Sequence, residues 1–417
     1  MQVQEVIHNI ETLPRLHEKN DLSYIKKVLA VLGNPQDQVK TIHITGTNGK
    51  GSTSYYLSNL IKKAGQKTGL FVSPYIERFN ERIQLNGDLI SDEDLVKGYQ
   101  VVTQAIADIK QSDPNFDLVT FEFETAIAFW YFAYKKCDYA VIEVGIGGQH
   151  DKTNVINPEV SIITTIGLDH EKIIGPTISD IAREKSGVIK KNTPVVLGNV
   201  PTNVLSILLE KAKNEQAPVS QLGKDFTVKD EDKIIFEEKN SKLDFNQRPI
   251  SESYDVAIAY RAFEFLNLPL DKLKVQEAIN NTKIPGRYDV LQTSPLIIAD
   301  GAHNIQAIRQ LLSYIHKLPT KRVKFLMGMM KDKDLKEIFD LFSPQDEIYL
   351  KRIDYPRSAN FDDFKDELKK EAVYDEDYKD LFDKLASSLD SNEILVVTGS
   401  FYLVGAILNY WRKKHEI

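Results

Sequence analysis

The sequence predicts an α/β protein of two unequal parallel-sheet domains, and three observations carry that expectation. Residues 41–54 read Thr-Ile-His-Ile-Thr-Gly-Thr-Asn-Gly-Lys-Gly-Ser-Thr-Ser, a β-rich run feeding a glycine-punctuated turn with one lysine, then a helix. Runs such as 139–144 and 160–166 are apolar almost throughout and alternate with helical patterns, as strands covered on both faces do. From residue 296 the strand–turn–helix alternation starts afresh. The expected architecture is an N-terminal P-loop-type parallel-sheet domain over residues 1–290. A smaller, Rossmann-like α/β domain over 291–417 completes it.

Composition bounds the function classes. With 417 residues the chain can bury a large core and divide into two or three domains. Hydrophobic content of 42% and charged content of 27% are those of a globular protein, and a net charge of −7 advertises neither nucleic acid nor an anionic membrane as partner. The single cysteine, Cys137, excludes an internal disulfide framework and follows Phe132 and Ala133 on a helical pattern, as a packed small residue would. No basic-then-apolar signal opens the chain, and no apolar run approaches a membrane span, so a cytoplasmic protein is expected.

Taken in order, Val6, Ile10 and Leu13 give a first helix an apolar side, and Tyr24, Val28, Leu29 and Leu32 a second. The segment 41–54 follows. Its backbone N–H groups, the helix N-terminus and the Lys50 ammonium together form a cradle for phosphate. The usual phosphate loop has four residues between its glycines and Ser/Thr directly after Lys. Here only Thr47 and Asn48 separate Gly46 from Gly49, and Gly51 separates Lys50 from Ser52. A flexible turn with a surface lysine is the bland alternative, and the strand before and helix after argue against it.

Residues 67–72 read as a second strand, closing a β-α-β unit with an expected parallel pair, and Ser73-Pro74 follows at once. Ser91 starts a helix towards Ile109; residues 126–132 are apolar all round, with Phe129 and Trp130 expected in the core. Glu143 lies near the end of the next strand, 139–144, before Gly145-Ile-Gly-Gly148, and Leu168-Asp169-His170 follow the strand after it. The phosphate turn, Ser73, Glu143 and His170 thus fall at carboxyl ends of four strands, where open α/β sheets bind ligands.

Thr177 and Asp180 begin a helix in which Ile178, Ile181, Ala182 and Lys185 share one stripe. Spacing alone favours a lysine whose ammonium snorkels to solvent; the sharper alternative is a desolvated amine with a lowered pKa. Residues 221–250 suggest small hairpins, and 254–266 a helix. The second domain offers Pro285-Gly-Arg287, Asp300-Gly-Ala-His-Asn304 and the turn 328–334, with no Gly-x-Gly-x-x-Gly. On chemistry alone, Ser73 and Glu143 suit a hard divalent cation, whereas His170 reads equally well as a hydrogen-bonded loop histidine.

Residues 45–52, Ser73-Pro74, Glu143-Val-Gly-Ile-Gly-Gly148, Leu168-Asp169-His170, Lys185-Ser-Gly187, Pro285-Gly-Arg287 and Asp300-Gly-Ala-His-Asn304 stand in the order seen in folylpolyglutamate and dihydrofolate synthases, of the Mur ligase superfamily. The resemblance spans both domains. It implies an ATP- and Mg²⁺-dependent ligase that adds L-glutamate to a folate or to dihydropteroate through an acyl phosphate. It further implies that Thr47, Asn48, Gly49, Lys50, Gly51 and Ser52 cradle ATP phosphates, and that Ser52, Ser73, Glu143 and His170 serve the metal. In that family the lysine matched by Lys185 is carbamylated and joins the metal ligands, which reverses the preference for snorkelling. Arg287, Asp300 and His303 match residues that close over nucleotide and incoming glutamate. A monomer acting on small molecules is expected.

Two departures stand out: Tyr75, where the family often has His, and Gln149-His150-Asp151 for the common Arg-Leu-Asp. Both are expected near the pterin end of the substrate. Among rivals, a peptidoglycan-type Mur ligase usually carries an extra N-terminal domain that the segment before Thr41 is too short to supply. A GTP-binding switch would carry Asn-Lys-x-Asp, and no Asn-Lys dipeptide occurs. A small-molecule kinase would have no use for Arg287 or 300–304.

Overall fold

The computed structural model describes residues 1–17, 21–238, 241–319, 322–331, 333, 335–353, 355, 357–364, 373–375 and 377–415. Asp332 and Asp334 of the predicted 328–334 turn lie outside the described residues. Two compact units share the chain: Met1–Pro74 with Phe79–Lys283, and Tyr75–Arg78 with Ile284–Ile417. The expected boundary at 290/291 therefore moves upstream. It would have cut the strand Asp289–Thr293, whose partner lies in the second unit's sheet, and a paired strand cannot be divided from its ladder without orphaning backbone groups.

The first unit is built on eight strands: β1 (Lys40–Thr45), β2 (Thr68–Phe71), β3 (Ile83–Leu85), β4 (Asp88–Leu89), β5 (Tyr139–Glu143), β6 (Val160–Thr165), β7 (Val195–Asn199) and β8 (Val219–Gln221). Their order is β4-β3-β2-β5-β1-β6-β7-β8. From β2 to β8 all neighbours run parallel. One expectation fails here: β1 and β2 are not neighbours, because β5 lies between them. Ala140, Val141 and Ile142 are at most 1% exposed, and so apolar a run gains most from a slot with strands on both sides. That slot sets Glu143 beside Ile44, one residue from the start of the phosphate turn.

Helices form where caps and stripes predicted them. Asp92–Lys110 starts with Ser91 Oγ accepting from Asp94 N at 3.1 Å, and Ile178–Ser186 with reciprocal Thr177–Asp180 bonds. Phe129 is buried, but Trp130 is only partly so, stacking on Tyr134 with ring centroids 5.0 Å apart. Cys137 is buried and free. The hairpin region contains a separate antiparallel sheet of β9 (Thr227–Asp230), β10 (Ile234–Glu238) and β11 (Ser241–Phe245).

The second unit has six strands, β12 (Asp289–Thr293), β13 (Leu296–Ala299), β14 (Arg322–Met327), β15 (Glu347–Lys351), β16 (Val373–Asp375) and β17 (Glu393–Thr398), ordered β12-β13-β17-β14-β15-β16. Among the described residues, only β12 is antiparallel to its neighbour. Apolar clusters cover both faces, one around Ile308, Phe325 and Met327, the other around Leu326, Val397 and Ile407. Ile76, from the segment spliced in from early in the chain, packs with the latter cluster, and Glu77 pairs with Arg412.

Candidate active site

At the carboxyl edge of the first sheet the phosphate turn is fastened to the end of β6. Thr47 N donates to Thr165 O at 3.0 Å, and Asn48 N to Thr165 Oγ1 at 3.0 Å. Thr164 Oγ1 donates to Asn48 O at 2.6 Å, while Thr47 Oγ1 exchanges bonds with the backbone of Gly167. Gly49 precedes the helix Lys50–Lys63 with φ of 82°, the left-handed conformation that glycine adopts without a Cβ penalty. Lys50 Nζ lies 2.9 Å from Gly46 O, closed over its own loop, and Ser52 is buried in the helix's first turn. Hydrogen bonds thus fix the shape of the turn against the end of β6.

Glu143 is 3% exposed, and its Oε2 accepts from Ser73 N at 3.0 Å. A Cβ added to Gly51 would stand 3.7 Å from the same Oε2, so the start of the cradle helix abuts this carboxylate. His170 sits in the left-handed region at the head of a short helix, its Nε2 3.8 Å from Asp169 Oδ2. Gly46, Thr47, Lys50, Asp169, His170 and Lys185 line one cavity.

Lys185 decides between its two readings. It is 4% exposed, so its ammonium does not snorkel out. Burial first, and the Lys50 charge second, push the amine down to about 7, against the opposing pull of Asp169, Asp151 and Glu184. A lysine in this state is substantially neutral near pH 7 and can act as a nucleophile.

The second unit gathers its own set. Asp300 is 3% exposed and accepts from Tyr288 N at 3.0 Å and Ala302 N at 2.9 Å. Burial holds its carboxyl above the usual range, opposed by the Arg287 charge. Arg287 lies over the Phe401 ring at 4.5 Å, and His303 meets that ring edge-on at 5.6 Å while its Nδ1–H donates to Gly301 O. The structure thus brings Thr47, Lys50, His170 and Lys185 around one cavity and pairs Ser73 with Glu143. It brings Arg287, Asp300 and His303 together in the other unit.

Sequence reasoning gave no role to Asp169, Glu184 or Phe401. Asp169 stood inside a motif already singled out. Glu184 adjoins Lys185, and its bonds to His150 cross from another loop. Phe401 carried no signal at all, being one aromatic among many. Of the two departures, Tyr75 belongs to the second unit, and His150 bonds Glu184, the neighbour of Lys185.

Residues 44–262 match the Mur ligase middle domain and residues 286–401 the Mur ligase glutamate ligase domain. The folylpolyglutamate synthase of Lacticaseibacillus casei is 33% identical over 425 residues, with 98% of each chain covered. The chain belongs to the folylpolyglutamate/dihydrofolate synthase family. The dihydrofolate synthase/folylpolyglutamate synthase of Bacillus subtilis is 32% identical, over 93% of this chain and 94% of that one. A solved folylpolyglutamate synthase–AMPPCP–folate complex matches with a TM-score of 0.88 at 30% identity, covering all of both chains. The family resemblance read in the motifs is thereby family membership, and the fold is that of folylpolyglutamate synthases. The chain is an ATP-dependent ligase of an acid and an amino acid.

Proposed function

We propose that this ligase joins L-glutamate to the carboxylate of a reduced folate, of dihydropteroate, or of both, acting as a cytoplasmic monomer. The observation that carries the reading is the cavity shared by the cradle, Lys50, His170 and a buried Lys185, in a chain of this family. The acceptor carboxylate attacks the γ-phosphate of ATP, giving an acyl phosphate and ADP. The glutamate amine then attacks the acyl carbon and phosphate leaves. Lys50 and the inward N–H groups of the turn offset the charge that develops on the transferring phosphoryl group. Arg287, Asp300 and His303 are proposed to serve the nucleotide and glutamate.

The donors also suit magnesium. Glu143 offers a buried carboxylate oxygen with Ser73 bonded beside it, and Ser52 lies in the first turn of the cradle helix. Among the described residues no three His, Cys, Asp or Glu side chains gather to hold a metal. A site completed by phosphate oxygens, as magnesium sites with nucleotides are, has no need of such a cage. Ser52, Ser73, Glu143, His170 and a carbamylated Lys185 would hold the ion, which when bound neutralises phosphate charge. Carbamylation suits a buried amine held near 7, because the neutral amine captures CO₂ and the product is a carboxylate-like oxygen donor.

ADP release with ATP, Mg²⁺ and glutamate, with dihydropteroate and tetrahydrofolate in separate tubes, tests the reading. Turnover with either or both is expected and names the acceptor. Turnover with neither overturns it.

A further inference from the structure

We propose that Glu184 is a positioning residue for Lys185, and that His150 holds Glu184 in place. The proposal rests on the reading of Lys185 given above and concerns how this chain keeps that amine where it is.

The turn 145–150 leaves the end of β5 and runs against the last turn of the helix Ile178–Ser186. Glu184 joins the two. Its Oε1 accepts from His150 N at 2.9 Å and from Gly148 N at 3.3 Å, and its Oε2 accepts from His150 Nδ1–H at 2.8 Å. Its backbone oxygen accepts from Gln149 N at 2.8 Å. Close approach is possible because residue 148 is glycine: a Cβ there would stand 2.8 Å from Glu184 O and 3.0 Å from Lys185 Cα. Asn154 Nδ2 adds a second clasp, to Gln149 O at 3.0 Å and Gly187 O at 3.3 Å. On its other side, the turn is tied to the end of β1 by Thr45 Oγ1 donating to Gly147 O.

These bonds form one connected path from the phosphate cradle, through the glycine turn, to the backbone on either side of Lys185. The Glu184 charge reaches the Lys185 amine and opposes its lowering, but its carboxylate oxygens are bonded to Gly148 and His150, so its geometric role runs through the turn. Glu184 acts by fixing the depth and rotation of the helix that carries Lys185, against the turn that shares its cavity. Three hydrogen bonds on one carboxylate make that fastening specific in geometry. His150 supplies two of the three and stands where this chain departs from its family's common Arg-Leu-Asp. The departure therefore bears on the lysine helix.

The test compares Glu184→Ala, Glu184→Gln and His150→Ala with the parent enzyme. It reads kcat, separate KM values for Mg·ATP and folate, and the carbamate signal of enzyme equilibrated with ¹³C-bicarbonate. Loss of a partner behind a ligand typically costs about 10–100-fold, so Glu184→Ala should lose that much kcat and most of the carbamate signal, with folate KM little changed. Glu184→Gln should recover part, because an amide oxygen still accepts from Gly148 N and His150 N. His150→Ala, a half-exposed site, should fold and fall between the parent and Glu184→Ala. A lowered melting temperature with parental kcat and parental carbamate signal overturns the proposal, leaving a structural role only. If the parent itself gives no carbamate signal, the Lys185 reading fails while the kcat comparison still decides the role of Glu184.

Discussion

The two units solve the same problem with different materials. Each places charged groups at the carboxyl edge of its sheet, and each buries ionisable side chains there, among them Glu143 and Lys185 in the first and Asp300 in the second. In the first unit the fixing is done by loop against loop: Thr47, Asn48 and Thr164 lock the cradle to β6, and Glu184 locks the lysine helix to the glycine turn. In the second unit one aromatic ring, Phe401, carries both Arg287 and His303. The buried groups also differ in sign. Desolvation pushes the Lys185 base down to about 7 and the Asp300 acid up, so burial favours the neutral form in both. Hydrogen-bonded loops hold a group to one position. In the second unit ring contacts add to backbone hydrogen bonds on Asp300 and His303.

The comparison breaks most sharply at Lys185. If the first unit's rigid set is the reaction centre, Lys185→Ala should abolish ligation, by at least about 100-fold on the scale of losing one preorganised electrostatic group. It should leave the fold intact, since removing a buried amine also removes its desolvation cost. ADP release and a thermal melt on the same preparation measure both. Full activity in that variant would sink the carbamate role.

Acid should load the first unit at one identifiable side chain. His43, in the middle of β1, is fully buried and donates to or accepts from Thr153 Oγ1 at 2.8 Å. Burial, with Lys190 second, lowers its pKa to about 3 from 6.5. Below pH 6.5 the unfolded chain takes up a proton that the folded ring refuses. Each pH unit down to about 3 then costs the first unit about 1.4 kcal/mol. Raised carboxyls have the opposite sign, because folding binds their proton more readily; Asp300 is one in the second unit, and Glu124, Asp151 and Glu264 are others in the first, so the His43 contribution is read by substitution within one unit. Amide exchange in β1 at pH 7 and pH 5 should show the protection of His43→Gln, which keeps a partner for Thr153, falling less on acidification than that of the parent. The same pH dependence in both proteins would remove His43 as the cause.

How far the sequence reached follows from the same contrast. The cradle was legible because its parts are neighbours: strand, glycines, Lys50 and helix start lie within about a dozen residues, and periodicity reports local structure. Glu143 and His170 were legible from their place at strand ends. The insertion of β5 between β1 and β2 was not, because strand order depends on which apolar run gains most from a central slot, a competition no local window contains. Lys185 was half-legible. Its stripe was visible, but whether a lysine snorkels depends on what packs against its helix, here a turn some forty residues away in sequence that lies against the Lys185 backbone. The splice of Tyr75–Arg78 into the second unit left no mark in composition or pattern.

The smallest effect tests the ring itself. Phe401→Leu keeps apolar bulk at the head of the helix Phe401–His415 but removes the flat face under Arg287 and the edge partner of His303. A cation–π contact at a partly exposed site is worth about 0.5–1 kcal/mol, which is a factor of about two to five in an equilibrium constant. If Arg287 and His303 serve nucleotide or glutamate, that factor should appear in the KM for ATP or glutamate. The folate KM and the melting temperature should stay near the parent values. A ring that only fills space would show the reverse, a lower melting temperature with every KM unchanged. A loss of kcat as large as that of Lys185→Ala would mean that the second unit's set is as rigidly required as the first, and the contrast between loop-fixed and ring-fixed groups would fall.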